Sequence, residues 1–187
     1  MAYHIDCIQE WEGFNYQGTE FSLKHLSAHE LRYQGNKKAY TFVVTYGLHC
    51  FAKNDSMHSI PIEYSDSRET RTVDLERYHA SKHLKGILGR INEKSVTIYE
   101  TTTDKYFTIE VINNLSEIPE AYKICLAVFK ENRLLRMHVL SSFFVREGEG
   151  SPDTPITRKG FSFYKMAMDV ERKQRSQKGP KEVFNKP

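Results

Sequence analysis

The sequence lacks the short motifs of several common enzyme classes. It contains no GxxxxGK[ST] loop and no GxGxxG loop, so it has neither of those two types of phosphate cradle. It also has no GxSxG motif, which presents the nucleophilic serine of α/β-hydrolases on a sharp strand-to-helix turn. Function must therefore be argued from composition, from the order of the predicted elements and from looser clusters of polar residues.

Cysteine and long apolar runs are also scarce. The chain of 187 residues has three cysteines, Cys7, Cys50 and Cys125, and no two of them have a CxxC spacing. This pattern indicates neither a disulfide framework nor a thiolate zinc site, and it favours the reducing cytoplasm. No apolar run is long enough for a membrane-spanning helix, and His4 and Asp6 fall where a secretory leader needs apolar residues. We expect a cytoplasmic protein without membrane contact.

Charge is balanced over most of the chain and basic at its end. Lysine and arginine total 27 and aspartate and glutamate total 24, which gives a net charge of +3. Residues 171–187 carry six basic and two acidic side chains, whereas the preceding 170 residues carry a net charge of −1. With 39% apolar and 27% charged residues, the chain has the composition of a globular domain. We predict one domain over residues 1–170, followed by a flexible basic tail over residues 171–187.

The element pattern predicts an α+β fold. Residues 40–46 read YTFVVTY, a strong strand signal, and residues 53–72 are polar and read as a loop. Asp74 is a good helix N-cap, and apolar residues at helical spacing predict a helix that continues to about residue 91. We expect a single domain in which this principal helix packs on a mainly antiparallel sheet.

Two hairpins are predicted in the second half of the chain, over residues 95–112 and 122–145. In the last strand of the second hairpin, strict alternation predicts a core face that includes Ser141 and Phe143. The same alternation places Arg136 and His138 on the other face, together with Ser142 and Phe144. We expect that second face to line a shallow surface.

The densest polar cluster lies before and at the start of the predicted helix. Carboxylates and arginines in such a cluster can bind a partner, perform acid–base chemistry or form a salt-bridged loop that fixes the helix entrance. The candidate binding residues are Asp66, Arg68, Glu69, Arg71, Arg77 and Tyr78.

A second set of residues matches the needs of metal-free RNA cleavage. His49, at the end of a strong strand, can act as a general base, whereas the adjacent Cys50 points to the opposite face and is not its nucleophile. His138, with Arg136 and Arg146, supplies a base or acid and two cations for the phosphorane charge. Solvated or core roles remain open for all of these side chains.

Several segments together resemble a family of small bacterial and phage-borne proteins, over about residues 20–166. That family has HCFT, DSRE-type, RYxLSxxL, NFFTVE and VxSAYVRD segments at matching places. The corresponding runs here are HCF at 49–51, YSDSRETR at 64–71, RYHASKHL at 77–84, YFTIEV at 106–111 and LSSFFVRE at 140–147.

This sequence departs from the family pattern at Ala52, at Lys85, and at Phe143 and Phe144, where Ala-Tyr is expected. The last difference removes a hydroxyl and weighs against a tyrosine-dependent mechanism. The resemblance implies a family grouping and no particular reaction. Residues 122–145 alone also resemble the core hairpin of RelE/ParE- or BrnT-type toxins, an analogy at the level of fold.

Three functions follow as hypotheses. We favour a non-enzymatic interaction protein of phage or mobile-element type, an inhibitor or accessory factor that binds a protein partner and needs no cofactor. The alternative is a metal-independent RNase or RNA-binding, toxin-like protein. A metal-dependent hydrolase has the least support, because the eight histidines match no known ligand spacing and the pair His79 and His83 lacks the HExxH glutamate.

Overall fold

The computed structural model describes residues 10–35, 37–66, 68–94, 96, 98–101, 106–113, 120–145 and 156–172. These residues form one α+β domain. The strands are β1 (Phe14–Tyr16), β2 (Thr19–Phe21), β3 (His29–Gln34), β4 (Ala39–His49), β5 (Ser59–Ser65), β6 (Thr70–Asp74), β7 (Ile98–Thr101), β8 (Tyr106–Asn113), β9 (Glu120–Glu131), β10 (Leu134–Phe144) and β11 (Ile156–Phe161). The helices are α1 (Leu75–Ser81), α2 (Leu84–Gly89) and α3 (Phe163–Arg172).

Seven strands form the main sheet in the order β11-β7-β8-β9-β10-β4-β3. All neighbours in this sheet are antiparallel except β10 and β4, which pair in parallel. Strands β1 and β2 form one small hairpin, and β5 and β6 form another. The parallel pair is decisive for the site, because the carboxyl ends of β4 and β10 meet at the same edge of the sheet.

The helices cover one face of the sheet and enclose the main core. The Tyr33 hydroxyl of β3 donates to the Leu88 carbonyl of α2 at 2.8 Å, which ties this helix to the sheet. Aromatic rings fill much of the space, because 12% of the residues in the chain are aromatic. The buried residues of this core include Phe42, Val44, Tyr46 and Leu48 of β4, Met137 and Val139 of β10, and Tyr78, Leu84, Leu88, Phe163 and Met166 of the helices.

The predicted hairpin over residues 122–145 is confirmed, but the prediction of which β10 side chains face the core fails beyond Val139. The register of β10 shifts between Val139 and Ser141, because Leu140 is inserted as a bulge. Beyond the bulge the parity reverses, so Ser142 and Phe144 turn to the helix-covered face and Ser141 and Phe143 turn away from it. Strict alternation therefore assigned these four side chains wrongly.

The prediction of a loop over residues 53–72 was wrong, because β5 and the start of β6 lie within that range. The turn between them is built around Asp66, whose carboxylate accepts hydrogen bonds from the backbone N–H groups of Arg68 (2.7 Å) and Glu69 (3.0 Å). The strands of this hairpin expose one side to solvent and therefore contain many polar residues, which is why the sequence has the composition of a loop.

The principal helix is confirmed, with a bend. Asp74 caps α1 as expected, since its carboxylate accepts from the Arg77 N–H at 2.8 Å. The helix breaks at Lys82 and His83 and resumes as α2. The last helix of the described chain is α3, which ends at Arg172. Within the described part of the chain, no helix has the length and apolarity needed to cross a membrane.

Candidate functional site

The candidate site lies where β4 and β10 end side by side. His49 is the last residue of β4, and its register partner in the parallel pair is Ser141. The β5–β6 hairpin and the start of α1 are held against this edge, because the Asp74 N–H donates to the Phe51 carbonyl at 3.0 Å. Four separate elements therefore contribute side chains to one recess.

Glu69 connects a histidine and an arginine in this recess. Its Oε1 lies 2.6 Å from His49 Nε2, and its Oε2 lies 2.6 Å from Arg71 Nε. All three side chains are about equally accessible, with exposed fractions of 27% for His49, 28% for Glu69 and 27% for Arg71. The group is therefore reachable from solvent but held in place by its own contacts.

The Glu69 carboxylate is ionised at neutral pH. Burial acts to raise the pKa of Glu69, but the hydrogen bonds and charges of His49 and Arg71 outweigh it, and the pKa falls below its usual value. An ionised carboxylate accepts hydrogen bonds, so Nε2 of His49 carries the proton in their contact. A neutral His49 ring then has its basic lone pair on Nδ1.

Arg77 completes the recess from α1. Its Nη1 donates to the His49 carbonyl at 2.8 Å, and its guanidinium lies 5.6 Å from the centre of the Phe143 ring. Burial lowers the pKa of Arg77, and Asp74 partly opposes this shift. A guanidinium nevertheless stays charged at neutral pH. Among the described residues, no carboxylate forms an ion pair with it. We call His49, Glu69, Arg71 and Arg77 the His49 cluster.

The other candidate binding residues have different places. Asp66 shapes the β5–β6 turn, and its side chain is 1% exposed and 3.8 Å from Arg68. Tyr78 is buried in the core, where its hydroxyl donates to the Ser22 carbonyl at 3.2 Å. Of the six predicted binding residues, the structure thus brings Glu69, Arg71 and Arg77 together around His49.

Comparison with known proteins identifies the family. Residues 13–171 match the model of the YjaZ family. The chain belongs to the YjaZ family. It is 29% identical to Protein YjaZ of Escherichia coli (strain K12) over 154 residues, an alignment that covers 75% of this chain and 83% of that protein. No solved structure matches it. Membership of a family that spans most of the chain is therefore shown, whereas the phage-borne grouping and its motif pattern stay predictions.

The fold places two of the other predicted catalytic residues, Arg136 and His138, away from solvent. Arg136 is fully buried on the sheet face opposite the helices, and its Nη1 lies 2.6 Å from Glu131 Oε2. His138 is 3% exposed, and its Nδ1 lies 2.8 Å from the Thr45 hydroxyl. We call Glu131, Arg136 and His138 the Arg136 cluster. The expectation that this face lines a shallow surface was wrong for Arg136 and His138, because both side chains are buried.

His49 and His138 share one face of the sheet but not one cleft. A Cβ placed on Gly47 would lie 3.1 Å from Nε2 of His138, so this imidazole covers Gly47, two residues before His49. His49 points instead to Glu69 at the accessible edge. Arg146, the remaining predicted catalytic residue, lies outside the described residues.

Cys50 is not a reactive thiol in this fold. It lies fully buried on the helix-covered side, near Ser142, and burial raises its pKa to about 12. At neutral pH it is therefore protonated and a poor nucleophile. This placement agrees with the expectation that Cys50 and His49 point in opposite directions.

The structure gives little support to a metal site. His79 lies in α1, whereas His83 is the N-cap of α2, so the break separates the two histidines that a continuous helix would have aligned. Within the described ranges, no group of three or more histidine, cysteine, aspartate or glutamate side chains is arranged to hold an ion.

The link between His49 and Glu69 was not predicted from the sequence. The two residues are 20 positions apart, and only the hairpin brings them together. A signal was present, since Ile60, Ile62 and Tyr64 recur at a period of two before the Asp66 turn. With that segment predicted as a strand, the return strand would have carried Glu69 and Arg71 back toward the start of α1.

Proposed function

We propose that this YjaZ-family protein acts by binding a protein partner at the His49 cluster, as an inhibitor or accessory factor rather than an enzyme. The observation that carries the proposal is Arg77. Its guanidinium is half-buried, fixed by the His49 carbonyl and the Phe143 ring, and forms no ion pair with a carboxylate among the described residues. A pre-positioned arginine beside an aromatic ring is a common anchor in protein interfaces.

The charge of the recess favours a single acidic group over a polyanion. Arg71 and Arg77 are cationic, but Glu69 and the buried Asp74 are anionic, so the local charge is balanced when His49 is neutral. One carboxylate from a partner can pair with Arg77, whereas a run of phosphates would also meet Glu69. A glutamate, an aspartate or a chain terminus of a protein therefore fits better than nucleic acid.

An array of 15-residue peptides, sorted by net charge, tests this proposal with a defined probe. We expect wild-type protein to select peptides that contain carboxylates. Arg77→Lys keeps the charge but loses the planar fork, so it should lose this selection, and Arg90→Lys, at a 73% exposed arginine of the α2 C-terminus, should keep it. Circular dichroism and thermal midpoints check that both variants fold.

A second measurement needs no variant. The Nε–H resonance of the Arg77 side chain should shift when a selected acidic peptide is added to the wild-type protein, in proportion to its binding. Equal binding of acidic and neutral peptides, equal binding by Arg77→Lys, or an unmoved Arg77 resonance would each overturn the proposal.

One observation favours a second candidate, metal-independent RNA cleavage. The 2.6 Å contact to Glu69 orients His49 as in a histidine–carboxylate pair and leaves Nδ1 as the basic nitrogen. The expected analogy of residues 122–145 with RelE/ParE- or BrnT-type toxins, a prediction from sequence, points to the same candidate. It needs an acid other than the sealed His138.

End-labelled single-stranded RNA tests the second candidate directly. Cleavage by wild-type protein that His49→Ala abolishes and His83→Ala, at an exposed histidine, preserves would establish it in place of binding. Intact RNA after incubation with wild-type protein would remove it.

A further inference from the structure

A separate groove lies between the β3–β4 turn and helix α3, away from the His49 cluster. Its volume is about 440 Å³, which falls within the range of pockets that bind small ligands or parts of larger ones. Its walls combine cationic side chains with an aromatic and a thioether surface. The residues that matter for its chemistry are Gly35, Lys37, Lys38, Tyr164, Met168 and Arg172.

The groove carries a net positive charge. Lys37, Lys38 and Arg172 line it together with one carboxylate, Glu171, which gives a local charge of +2. Lys38 pairs with Glu171, and Lys130 donates from Nζ to the Glu171 backbone carbonyl at 3.1 Å. Within the described part of the chain, Lys37 and Arg172 form no ion pair and remain available to an anion.

A rigid aromatic platform lies among these cations. The Tyr164 hydroxyl donates to the Gln34 carbonyl at 2.6 Å and accepts from Asn92 Nδ2 at 3.1 Å. Its ring packs against Gly35, where a Cβ would approach Tyr164 Cε1 to 3.1 Å and the Lys38 carbonyl to 2.8 Å. Tyr164 is half-buried, and Met168 beside it is 37% exposed. The groove therefore offers fixed apolar surface between positive charges.

We propose that this groove binds single-stranded nucleic acid. An unpaired base would stack on Tyr164 and Met168, and its flanking phosphates would pair with Lys37 and Arg172. Proteins that bind single strands combine aromatic platforms with a cationic track in this way. The sequence that continues beyond Arg172 keeps the basic character, since residues 173–187 hold five basic side chains and one acidic side chain.

This site is independent of the proposed protein partner. The His49 cluster balances its charges, whereas the groove does not, and the two share no residue. Failure of one proposal leaves the other unaffected.

Fluorescence anisotropy with labelled 12-nucleotide oligouridylate and oligothymidylate tests the groove. We expect both to bind the full chain, with the tighter one identifying RNA or DNA as the preferred strand. The double variant Lys37→Glu, Arg172→Glu should bind at least about tenfold more weakly at low salt, because two phosphate contacts become repulsive. A matched double reversal at Lys24 and Lys85, both exposed and outside the groove, should weaken binding much less.

Two substitutions at Tyr164 test the role of the aromatic platform. Tyr164→Leu removes the ring and should weaken binding about tenfold, whereas Tyr164→Phe keeps the ring and should bind nearly as wild type. A 12-base-pair duplex and a 12-residue oligoglutamate serve as competitors that lack a free base. The proposal is overturned if no oligonucleotide binds at 50 mM salt, or if either competitor binds as tightly as the single-stranded oligonucleotides. It is also overturned if the reversal at Lys24 and Lys85 weakens binding as much as the reversal at Lys37 and Arg172. Circular dichroism confirms the fold of each variant.

Discussion

The His49 cluster and the Arg136 cluster use the same three residue types in opposite surroundings. Each has a histidine, an arginine and a glutamate, with a nitrogen–oxygen contact of 2.6 Å in both. The first is a little over one-quarter exposed, whereas Arg136 is 0% and His138 3% exposed. Residue type and spacing therefore say little about role, and access to solvent is what separates the proposed binding site from the buried pair.

The two glutamates titrate in opposite directions. The contacts of Glu69 with His49 and Arg71 outweigh burial and lower its pKa. Burial dominates at Glu131 and raises its pKa, although Arg136 opposes the shift. The desolvation of Glu131 is thus only partly offset by its partner, as is common for buried ion pairs.

The largest expected effect is the loss of the buried pair. Arg136→Ala should lower the free energy of unfolding by about 3–5 kcal/mol, because it leaves the Glu131 carboxylate buried without this partner. Arg71→Ala, at the accessible pair with Glu69, should cost under about 1 kcal/mol. Urea denaturation measures both. Equal losses would remove the distinction between the two clusters.

A smaller effect is expected from filling the space beneath His138. Gly47→Ala would place its Cβ 3.1 Å from His138 Nε2 and 3.2 Å from the Leu140 carbonyl, which forces the sealed face to shift. We expect a loss of about 1–3 kcal/mol. Gly86→Ala in α2, with nothing within 4 Å of its Cβ, should instead be neutral or stabilise by about 0.5–1 kcal/mol. Thermal and urea unfolding that ranked the two variants the other way would contradict the tight packing at Gly47.

The smallest effect is a difference in pH dependence. The stability that Glu69 adds relative to Glu69→Gln should be present above about pH 4.3, the unfolded value, and be lost as the pH falls through its lowered folded pKa. The contribution of Glu131 relative to Glu131→Gln should be greatest below that pH and be lost as the pH rises through its raised folded pKa. Urea titrations from pH 3 to 8 give both curves, and parallel curves would refute the contrast.

Local signals in the sequence predicted much of the fold. The YTFVVTY run gave β4, Asp74 gave the start of α1, and both late hairpins pair as expected. These predictions succeed because strand propensity, capping and turns depend on near neighbours in the chain.

The errors have long-range causes. The bulge at Leu140 reverses the faces of β10 beyond Val139, and it is set by how β10 pairs with the neighbouring strands β9 and β4. The β5–β6 hairpin exposes so many polar side chains that its composition is that of a loop, and the contact between Glu69 and His49 depends on how this hairpin packs at the sheet edge.

By itself the sequence determined which segments become strands and helices, and it supplied the histidines, arginines and carboxylates that any site would use. Only the tertiary structure decided that β4 and β10 run parallel. As a result His49 lies at an accessible edge, while His138 is buried opposite Thr45, four residues earlier along β4. The physical reason is that burial and charge pairing are set by contacts between segments far apart in the chain, and no local pattern specifies which side of a strand remains open to solvent.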